Sequence, residues 1–409
     1  MNKLMVFADF GSIRHYVGEL FLSEKIGKHV FNYSPSFLSS GLELSPYTLP
    51  LSGGTYPAEI NKNLFNLHPL FADALPDEWG IKVQNTEFAK LNIADPSPLE
   101  RLSFIGSHGT GALRFIPEQE FTKGRKSAHL AGLRKSAQQI LTGNVSSVVR
   151  SLLVFGGSVG GARPKFLIDI SKTNQDEIRY AHTGHDSGWI PCIIKVSHHR
   201  SDHWQRIEYT YFQMAGLAGI TVPKIRLLEE PEGTAHFVIE RFDCSGTDEQ
   251  FHMHSFAGIL GVDFRQADLD YSRLLRTVSE LCLDSAQTQE IFRRMVFNFL
   301  GSNRDDHGKN FSFLMNKSGK WFISPAYDIS YSSGEQGLHA MSALGKRRNL
   351  DKKDFLTLAE NFDIRKPENI IENVRMALCS WTDLAGEKRV PEKYIRSLNE
   401  RIHENLHRL

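Results

Sequence analysis

The chain has 409 residues, of which 41% are hydrophobic and 23% charged, with a formal net charge of +1 at pH 7. This composition excludes a disordered or fibrous chain and is that of a globular protein long enough for two or three domains. The near-neutral balance points to no nucleic acid or acidic partner except through a local patch. No apolar run reaches the roughly 18 residues of a membrane helix and no signal-like segment opens the chain, so we expect a cytoplasmic protein without a membrane partner.

The first part of the chain predicts a small α+β module. The runs "LMVFADF" and "HVFNYS" carry the apolar and aromatic residues typical of strands. In "EINKNLFNLHPLFADALPDEWG", Leu64, Leu67, Phe71 and Leu75 recur every three or four positions, which predicts a helical stretch that "LPDEWG" ends. We therefore expect an N-terminal α+β subdomain over residues 1–120.

The middle of the chain predicts a β-rich lobe over residues 121–245. The strand-like runs "SLLVFG", "PKFLIDIS", "CIIKVS" and "AHFVIERFD" alternate with glycine-rich turns and one helix, around Gln205 to Ala218. The glycine run "GGSVGGARPK" offers flexible backbone N–H groups to phosphates, but it is not a Walker P-loop, because Ala162 and Arg163 stand where lysine and a hydroxyl are needed. A second glycine run, "GSHGTGAL" at residues 106–113, we interpret as a turn.

Helical spacing dominates residues 246–409, which we expect to form a C-terminal lobe. Apolar residues recur at three or four positions in three stretches: Leu274, Val278 and Leu281, then Ile291, Met295 and Phe299, and finally Ile395, Leu398, Ile402, Leu406 and Leu409. One interruption, "FSFLMNKSGKWFISPAYDIS", has two strand-like runs around the turn "NKSGK" and predicts a hairpin.

A polar loop precedes this hairpin. The stretch "NRDDHGKNFSFL", residues 303–314, places Asp305 and Asn310 five positions apart, the spacing that a protein kinase uses for its catalytic base and a magnesium ligand. Beyond the hairpin lies Asp328 in "SPAYDIS", a carboxylate that we expect to bind the same metal. Mg²⁺ prefers oxygen ligands, which Asn310 and Asp328 both supply. For the loop taken alone, a solvated polar turn is the alternative.

Residues upstream strengthen the hypothesis of a phosphoryl-transfer site. Lys195 ends an apolar run, where a desolvated ammonium needs a negative partner such as ATP phosphates or Glu208 on the following helix. Within the loop, Lys309 is placed to touch the transferring phosphate and His307 to hold the loop's shape. The segment "IERFD", residues 239–243, lies where a hinge would present backbone groups to adenine. Taken singly, each residue has a plain alternative as an edge-strand or surface charge.

Together these motifs resemble the HipA family, serine/threonine kinases that act as toxins in bacterial toxin–antitoxin pairs. The similar segments fall across most of the chain in the family's order, which makes their combination far more specific than any one of them. They are "LPDEWG", "LSFIGSHGTGALRFIPE", "SVGGARPK", "CIIKVS", "EYTYFQMAGLAGITVPK", "VIERFD", "RDDHGKNFS" and "SPAYDIS". The resemblance implies an α+β, protein-kinase-like two-lobed fold with a small β-rich N-terminal subdomain and an all-helical C-terminal lobe.

The resemblance also implies roles for single residues. Asp305 would be the catalytic base, and Asn310 and Asp328 the magnesium ligands. The implied ATP-binding residues are Gly160, Gly161, Ala162, Arg163, Pro164 and Lys165 in the phosphate loop, Lys195, Glu240, Arg241 and Phe242 on the sheet and hinge, and His307, Gly308, Lys309, Asn310, Tyr327 and Asp328. Ser158 matches the serine that family members phosphorylate on themselves; its phosphate, with a charge of about −1.5 to −2, would drive the loop away from the ATP phosphates and stop ATP binding.

The implied function is phosphorylation of a protein serine or threonine with ATP and Mg²⁺ as cofactors. Family substrates include aminoacyl-tRNA synthetases. The implied partner is a helix-turn-helix antitoxin, which would bind this chain and place it on operator DNA, so that contact with DNA is mainly indirect.

One position departs from the family's pattern. The loop reads R-D-D-H-G-K-N where the family usually has T-D-G-H, so Asp306 replaces a glycine. A carboxylate beside Asp305 is expected to raise the pKa of that residue or to compete for the metal. Two alternatives therefore stay open: a small-molecule phosphotransferase, since kinase-like cores also serve sugars and antibiotics, and an ATP-binding corepressor that is catalytically impaired and acts with a DNA-binding antitoxin.

Overall fold

The computed structural model describes residues 1–76, 78–119, 127–142, 163–174, 177–181, 186–197, 199, 203–244, 249–265 and 269–409. The predicted strand "SLLVFG" and the residues Ser158, Gly160, Gly161 and Ala162 lie outside these ranges. In the described part of the chain the strands form three sheets in which all strand pairs are antiparallel.

The first sheet has the strand order β4-β3-β2-β1-β5. In β1, Leu4, Val6 and Ala8 are buried and alternate with more exposed residues, as expected of a strand with one face on the core. This confirms the strands predicted from "LMVFADF" and "HVFNYS". The bounds are β1 (Lys3–Asp9), β2 (Arg14–Ser23), β3 (Lys28–Tyr33), β4 (Thr55–Pro57) and β5 (Leu113–Ile116).

Four helices accompany this sheet: α1 (Pro35–Leu38), α2 (Pro69–Ala74), α3 (Glu78–Lys90) and α4 (Pro98–Ile105). The helical stretch predicted before "LPDEWG" is shorter than its apolar spacing indicates, and "LPDEWG" separates two helices. Leu75 is extended because it precedes Pro76, which disfavours the helical region for the residue before it. The chain then begins α3, which the sequence analysis did not predict.

The glycine run at residues 106–113 is a turn between α4 and β5, as predicted. Gly111 has a left-handed backbone, with φ at 72°, and a Cβ there would lie 3.0 Å from the backbone nitrogen of Met253. Its N–H donates to the Asp243 carboxylate over 2.8 Å. The turn therefore ties the first sheet to the end of the second.

The second sheet has the order β10-β11-β9-β7-β8-β6. Its strands are β6 (Ser127–Ala128), β7 (Lys165–Ser171), β8 (Ile178–Tyr180), β9 (Trp189–Lys195), β10 (Ile225–Glu229) and β11 (Ala235–Glu240). The predicted helix is present as α6 (Trp204–Leu217), but α5 (Leu130–Leu141) was not predicted. Trp79 and Val83 of α3 pack in one apolar cluster with Phe166 and Ile194, so the first module contributes to the core of this sheet.

The rest of the chain is helical apart from a small sheet of order β12-β13-β14, which contains the predicted hairpin. Its strands are β12 (His252–Ser255), β13 (Ser312–Met315) and β14 (Trp321–Ile323). The helices are α7 (Phe256–Leu260), α8 (Tyr271–Cys282), α9 (Ser285–Leu300), α10 (Lys352–Asn361), α11 (Pro367–Cys379), α12 (Trp381–Glu387) and α13 (Glu392–Leu406). No helix in the described ranges is long and apolar enough to cross a membrane.

Candidate active site

The polar loop after α9 is closed by its own side chains. His307 caps the short 3₁₀ turn Gly308–Asn310, because the Lys309 N–H donates to its Nδ1 over 3.2 Å. Asn310 donates from Nδ2 to the Asp305 carbonyl over 2.7 Å. A Cβ at Gly308 would lie 2.5 Å from a neighbouring leucine side chain, so only glycine fits there without movement. The loop thus holds Asp305 and Asn310 at a fixed separation.

Lys195, Glu208 and Asp328 form a network between the second sheet and this loop. The Lys195 ammonium lies 2.5 Å from Glu208 Oε1 and also donates to Asp328 Oδ1. Lys195 and Glu208 are fully buried, since β9 turns the lysine onto the helix that follows. Asp328 has a left-handed backbone with φ at 55°, a conformation that aspartate tolerates better than most residues. The predicted pairing of a strand lysine with a helix glutamate is present, and Asp328 joins it.

Two carboxylates, those of Glu208 and Asp328, share the Lys195 ammonium in this network. Burial raises the pKa of Glu208, and Asp328 raises it further. Burial would also raise the pKa of Asp328, but the ammonium groups of Lys195 and Lys165 outweigh it and lower that pKa. Lys165 and Lys195 stand opposite each other on paired strands. Like charges in that position repel, and the Asp328 carboxylate, which both ammonium groups influence, offsets part of that repulsion.

Asp305 points toward solvent at the edge of this network. Its side chain is 61% exposed, and its Oδ1 lies 3.9 Å from His307 Nε2. Partial burial raises its pKa above the usual value, and the negative charges of Asp328 and Asp306 raise it further, against the opposing effect of His307. A carboxylate that is accessible and easily protonated is suited to accept a proton from a hydroxyl group.

Asp306 takes a different role from the competing metal ligand that the sequence analysis considered. It is 1% exposed, and its Oδ2 accepts from the Tyr271 hydroxyl over 2.8 Å and from His339 Nδ1 over 3.0 Å. Its Oδ1 accepts from the N–H groups of Ala340 over 2.9 Å and Met341 over 3.5 Å. Both oxygens are used by the protein interior. Asp306 therefore holds the chain that follows Asp328 in place. Its effect on Asp305 is electrostatic, since its negative charge helps to raise the pKa of Asp305.

The donor set at Asn310 and Asp328 fits a hard divalent cation. Asn310 is buried, and its Oδ1 has no hydrogen-bond partner within the described residues, which is costly unless a cation or a hydrogen-bond donor binds that oxygen. Asp328 uses one carboxylate oxygen for Lys195. An amide oxygen and a carboxylate oxygen are ligands that Mg²⁺ accepts, and it commonly takes its remaining ligands from water and phosphates.

The predicted hinge lies at the end of β11. The Phe242 ring is 5.6 Å from the Tyr327 ring, centroid to centroid, so the hinge approaches the residue before Asp328. Glu240 accepts from a neighbouring arginine over 2.8 Å. The Arg241 guanidinium donates to the Asp243 carboxylate over 2.9 and 2.6 Å and is partly buried. The Arg241 side chain is therefore engaged within the segment itself.

The described end of the phosphate loop reaches the same region. The Arg163 guanidinium lies over the Trp204 ring at 4.8 Å. Pro164 accepts through its carbonyl from the Val196 N–H over 2.9 Å, immediately after Lys195. Lys165 is buried, and its carbonyl accepts from the Trp79 indole N–H over 3.1 Å. The tryptophan of "LPDEWG" thus supports the strand that carries this lysine.

One contact to the loop comes from a residue that the sequence analysis missed. Asp73, at the end of α2, accepts from His254 Nδ1 over 2.8 Å and from the N–H and hydroxyl of Ser255, each over 2.7 Å. The Lys309 ammonium lies 3.9 Å from its Oδ1, and the Tyr327 hydroxyl donates to the Lys309 carbonyl over 2.5 Å. The first module therefore reaches the polar loop directly. No local pattern around Asp73 signals this, because its partners lie more than 180 residues away.

Comparison with known protein families identifies the chain's relatives. A HipA N-terminal domain model matches residues 12–116, and a HipA-like C-terminal domain model matches residues 157–381, more than half of the chain. The chain belongs to the HipA family. The family predicted from the sequence motifs is thereby confirmed.

Several known proteins are similar to this HipA family member. The serine/threonine-protein kinase toxin HipA of Shewanella oneidensis is 22% identical over 351 residues, which cover 79% of this chain and 75% of that protein. A putative kinase of Haemophilus influenzae is 23% identical over 228 residues, covering 53% of this chain and 64% of that protein. A solved complex of Shewanella oneidensis HipA with HipB and operator DNA matches with a TM-score of 0.70 at 19% identity, covering 99% of this chain and 97% of that chain. This likeness confirms the predicted α+β fold.

Proposed function

We propose that this chain is a serine/threonine protein kinase that uses ATP and Mg²⁺ and acts as the toxin of a toxin–antitoxin pair. The observation that carries the proposal is the buried network of Lys195, Glu208 and Asp328 beside a closed loop that presents Asp305 and the unpartnered oxygen of Asn310. The similarity to a kinase toxin of Shewanella oneidensis over three quarters of that protein supports the same function.

The proposed roles follow from the geometry of the chain's own residues. Asp305 accepts the proton of the acceptor hydroxyl, since its side chain is accessible and its pKa is raised. Lys195, held by Glu208, neutralises phosphate charge. Asn310 and Asp328 hold the magnesium ion, which with ATP supplies the phosphoryl group and the charge neutralisation of the transfer.

The remaining nucleotide contacts are proposed for three segments. The hinge residues 240–242 would face the base, and His307 to Lys309 with Tyr327 would line the nucleotide site. The loop 160–165 would cover the phosphates, with autophosphorylation of Ser158 as an inactivating step. The proposed division of the chain is an N-terminal subdomain over 1–120, an ATP-binding lobe over 121–245 and a C-terminal lobe over 246–409.

The proposed partners are a helix-turn-helix antitoxin and, mainly through it, operator DNA, because the solved complex that shares this fold contains HipA, HipB and operator DNA. The proposed acceptor is a translation component such as an aminoacyl-tRNA synthetase in the cytoplasm. An impaired corepressor is less well supported, because Asp306 turns both oxygens into the protein interior.

Incubation of a bacterial extract with this protein and γ-labelled ATP tests the proposal. We expect label in protein serine or threonine, identified as phosphopeptides, and none with the Asp305→Asn variant. Label confined to small molecules would establish the phosphotransferase alternative instead. Equal phosphopeptide yields with both proteins would remove Asp305 from the mechanism.

A further inference from the structure

Arg304, the residue before the proposed base, is a partly buried cation without a carboxylate partner. Among the described residues its side chain forms one hydrogen bond, from Nη1 to the Ser333 carbonyl over 3.1 Å, and no ion pair. Burial lowers the pKa of its guanidinium and the positive charge of Arg401 acts in the same direction, whereas Tyr331 and the Glu404 carboxylate act in the opposite direction. A guanidinium carries five N–H donors in a fork, so most of its binding capacity is open to an anion.

The residue that Arg304 touches belongs to a short, partly exposed segment, residues 331–338, that follows Asp328. Ser333 is exposed, and its hydroxyl forms no hydrogen bond with the residues that the structure describes. Gly334 turns the chain back with φ at 65°, and a Cβ there would lie 2.9 Å from the Arg304 Cβ. The turn therefore holds an accessible serine beside Arg304, whose guanidinium is bonded to the backbone carbonyl of the same serine.

Beyond the far end of this segment, residues 339 and 340 are bound to the same loop through the charged carboxylate of Asp306. Asp306 accepts from His339 Nδ1 and from the Ala340 N–H, and the Arg304 carbonyl also accepts from the Ala340 N–H over 3.0 Å. At the near end, the Ser332 N–H donates to the Ser302 carbonyl over 3.0 Å and Arg304 donates to the Ser333 carbonyl, and neither contact is an ion pair. A negative group on Ser333 would give the near end the ionic attachment that the far end has.

We propose that Ser333 is a phosphorylation site whose phosphate is bound by Arg304, fixing the 331–338 segment against the catalytic loop. The proposal rests on the proposed kinase function for its phosphoryl donor. The Ser333 Oγ forms a bond to the γ-phosphorus of ATP, the bond from that phosphorus to the β–γ bridging oxygen breaks, ADP leaves, and the hydroxyl proton passes to Asp305 of the transferring copy. A phosphate has three strong acceptor oxygens that match the guanidinium fork.

The pairing is tested without any kinase activity by placing phosphoserine at position 333 during translation of the full chain. The second pKa of phosphoserine, about 6 in a free peptide, is followed by ³¹P NMR. We expect it to be lower by about half a pH unit or more, since a neighbouring cation favours the dianion, and to return toward the peptide value in Arg304→Gln. Arg304→Lys, which keeps the charge without the fork, should give an intermediate value and serves if the glutamine variant does not fold. A peptide-like value in the parent protein, or no change in the variants, overturns the pairing.

The phosphoryl donor is tested by incubating the unmodified chain with ATP and Mg²⁺ and mapping its phosphopeptides, with Asp305→Asn and Ser333→Ala as controls. Phosphate on Ser333 that depends on Asp305 supports the inference. Phosphate on other residues, with none on Ser333, overturns it while the proposed function stands. No phosphate on any residue or substrate protein would instead overturn the proposed function.

Discussion

Replacing Asp306 by asparagine should destabilise the protein, although the same change at the adjacent Asp305 should not. Asparagine keeps an oxygen for the Ala340 N–H but turns an NH₂ group toward the Tyr271 hydroxyl and His339 Nδ1, which both donate to Asp306 in the native protein. Hydrogen bonds to a charged group contribute about 1.5 to 3 kcal/mol each, so the loss of two should lower the free energy of unfolding by about 3 kcal/mol or more.

The assay is equilibrium unfolding in urea, followed by tryptophan fluorescence, with Asp305→Asn as the matched control. That side chain is 61% exposed, so the control should unfold within about 0.5 kcal/mol of the parent protein while losing phosphoryl transfer. If Asp306→Asn unfolds at the same urea concentration as the parent, the interior network does not depend on this carboxylate and the reasoning fails.

Three further predictions concern the site and the loop. Lys195→Met should slow phosphoryl transfer on the order of 100-fold, and it should also lower the free energy of unfolding because it leaves a buried carboxylate without its cation. Adding Glu208→Gln should recover that stability but not the transfer rate. A normal transfer rate in either variant would contradict the role of Lys195. The value of kcat/KM should fall as the pH falls through the raised pKa of Asp305, because protonation removes the base. The acid limb of the pH profile should therefore give a pKa above the roughly 3.9 of an ordinary aspartate. An acid limb at that ordinary value would contradict a raised pKa for Asp305. Gly308→Ala should lower the free energy of unfolding by about 1 to 3 kcal/mol, because the added Cβ would overlap the Leu269 side chain. In the same urea experiment the control Gly132→Ala, whose Cβ would lie in open space on α5, should be neutral or stabilising by up to about 1 kcal/mol.

The sequence predicted those elements whose pattern is local. The strand alternation in β1, the helical spacing of α8, α9 and α13, and the hairpin turn "NKSGK" all depend on neighbouring residues. The helix α3 was missed because Pro76 ends one helix and allows another to begin two residues later. The helix α5 was missed although Leu133, Ala137 and Ile140 have helical spacing, because the strand-like runs around it dominated the interpretation.

In the candidate site, too, the sequence predicted the contacts that follow from a local order of residues and missed those between distant residues. The pairing of Lys195 with Glu208 follows a strand-to-helix order that the sequence displays, and the structure brings both to Asp328. The function of Asp306 depends on His339, which lies 33 residues further along the chain, and no spacing rule connects them. For that reason the sequence predicted Asp306 as a possible competing metal ligand, whereas in the structure it is a buried hydrogen-bond acceptor for the chain that follows Asp328.

Asn310 and Asp328 are proposed to hold a divalent cation beside Asp305. A crystal structure grown with Mn²⁺ and a non-hydrolysable ATP analogue measures this directly, because manganese gives an anomalous signal. We expect a peak within coordination distance of Asn310 Oδ1 and the Asp328 carboxylate, with Lys195 near the nucleotide phosphates. A manganese peak held by other residues, with the Asn310 oxygen still without a ligand, would contradict the account.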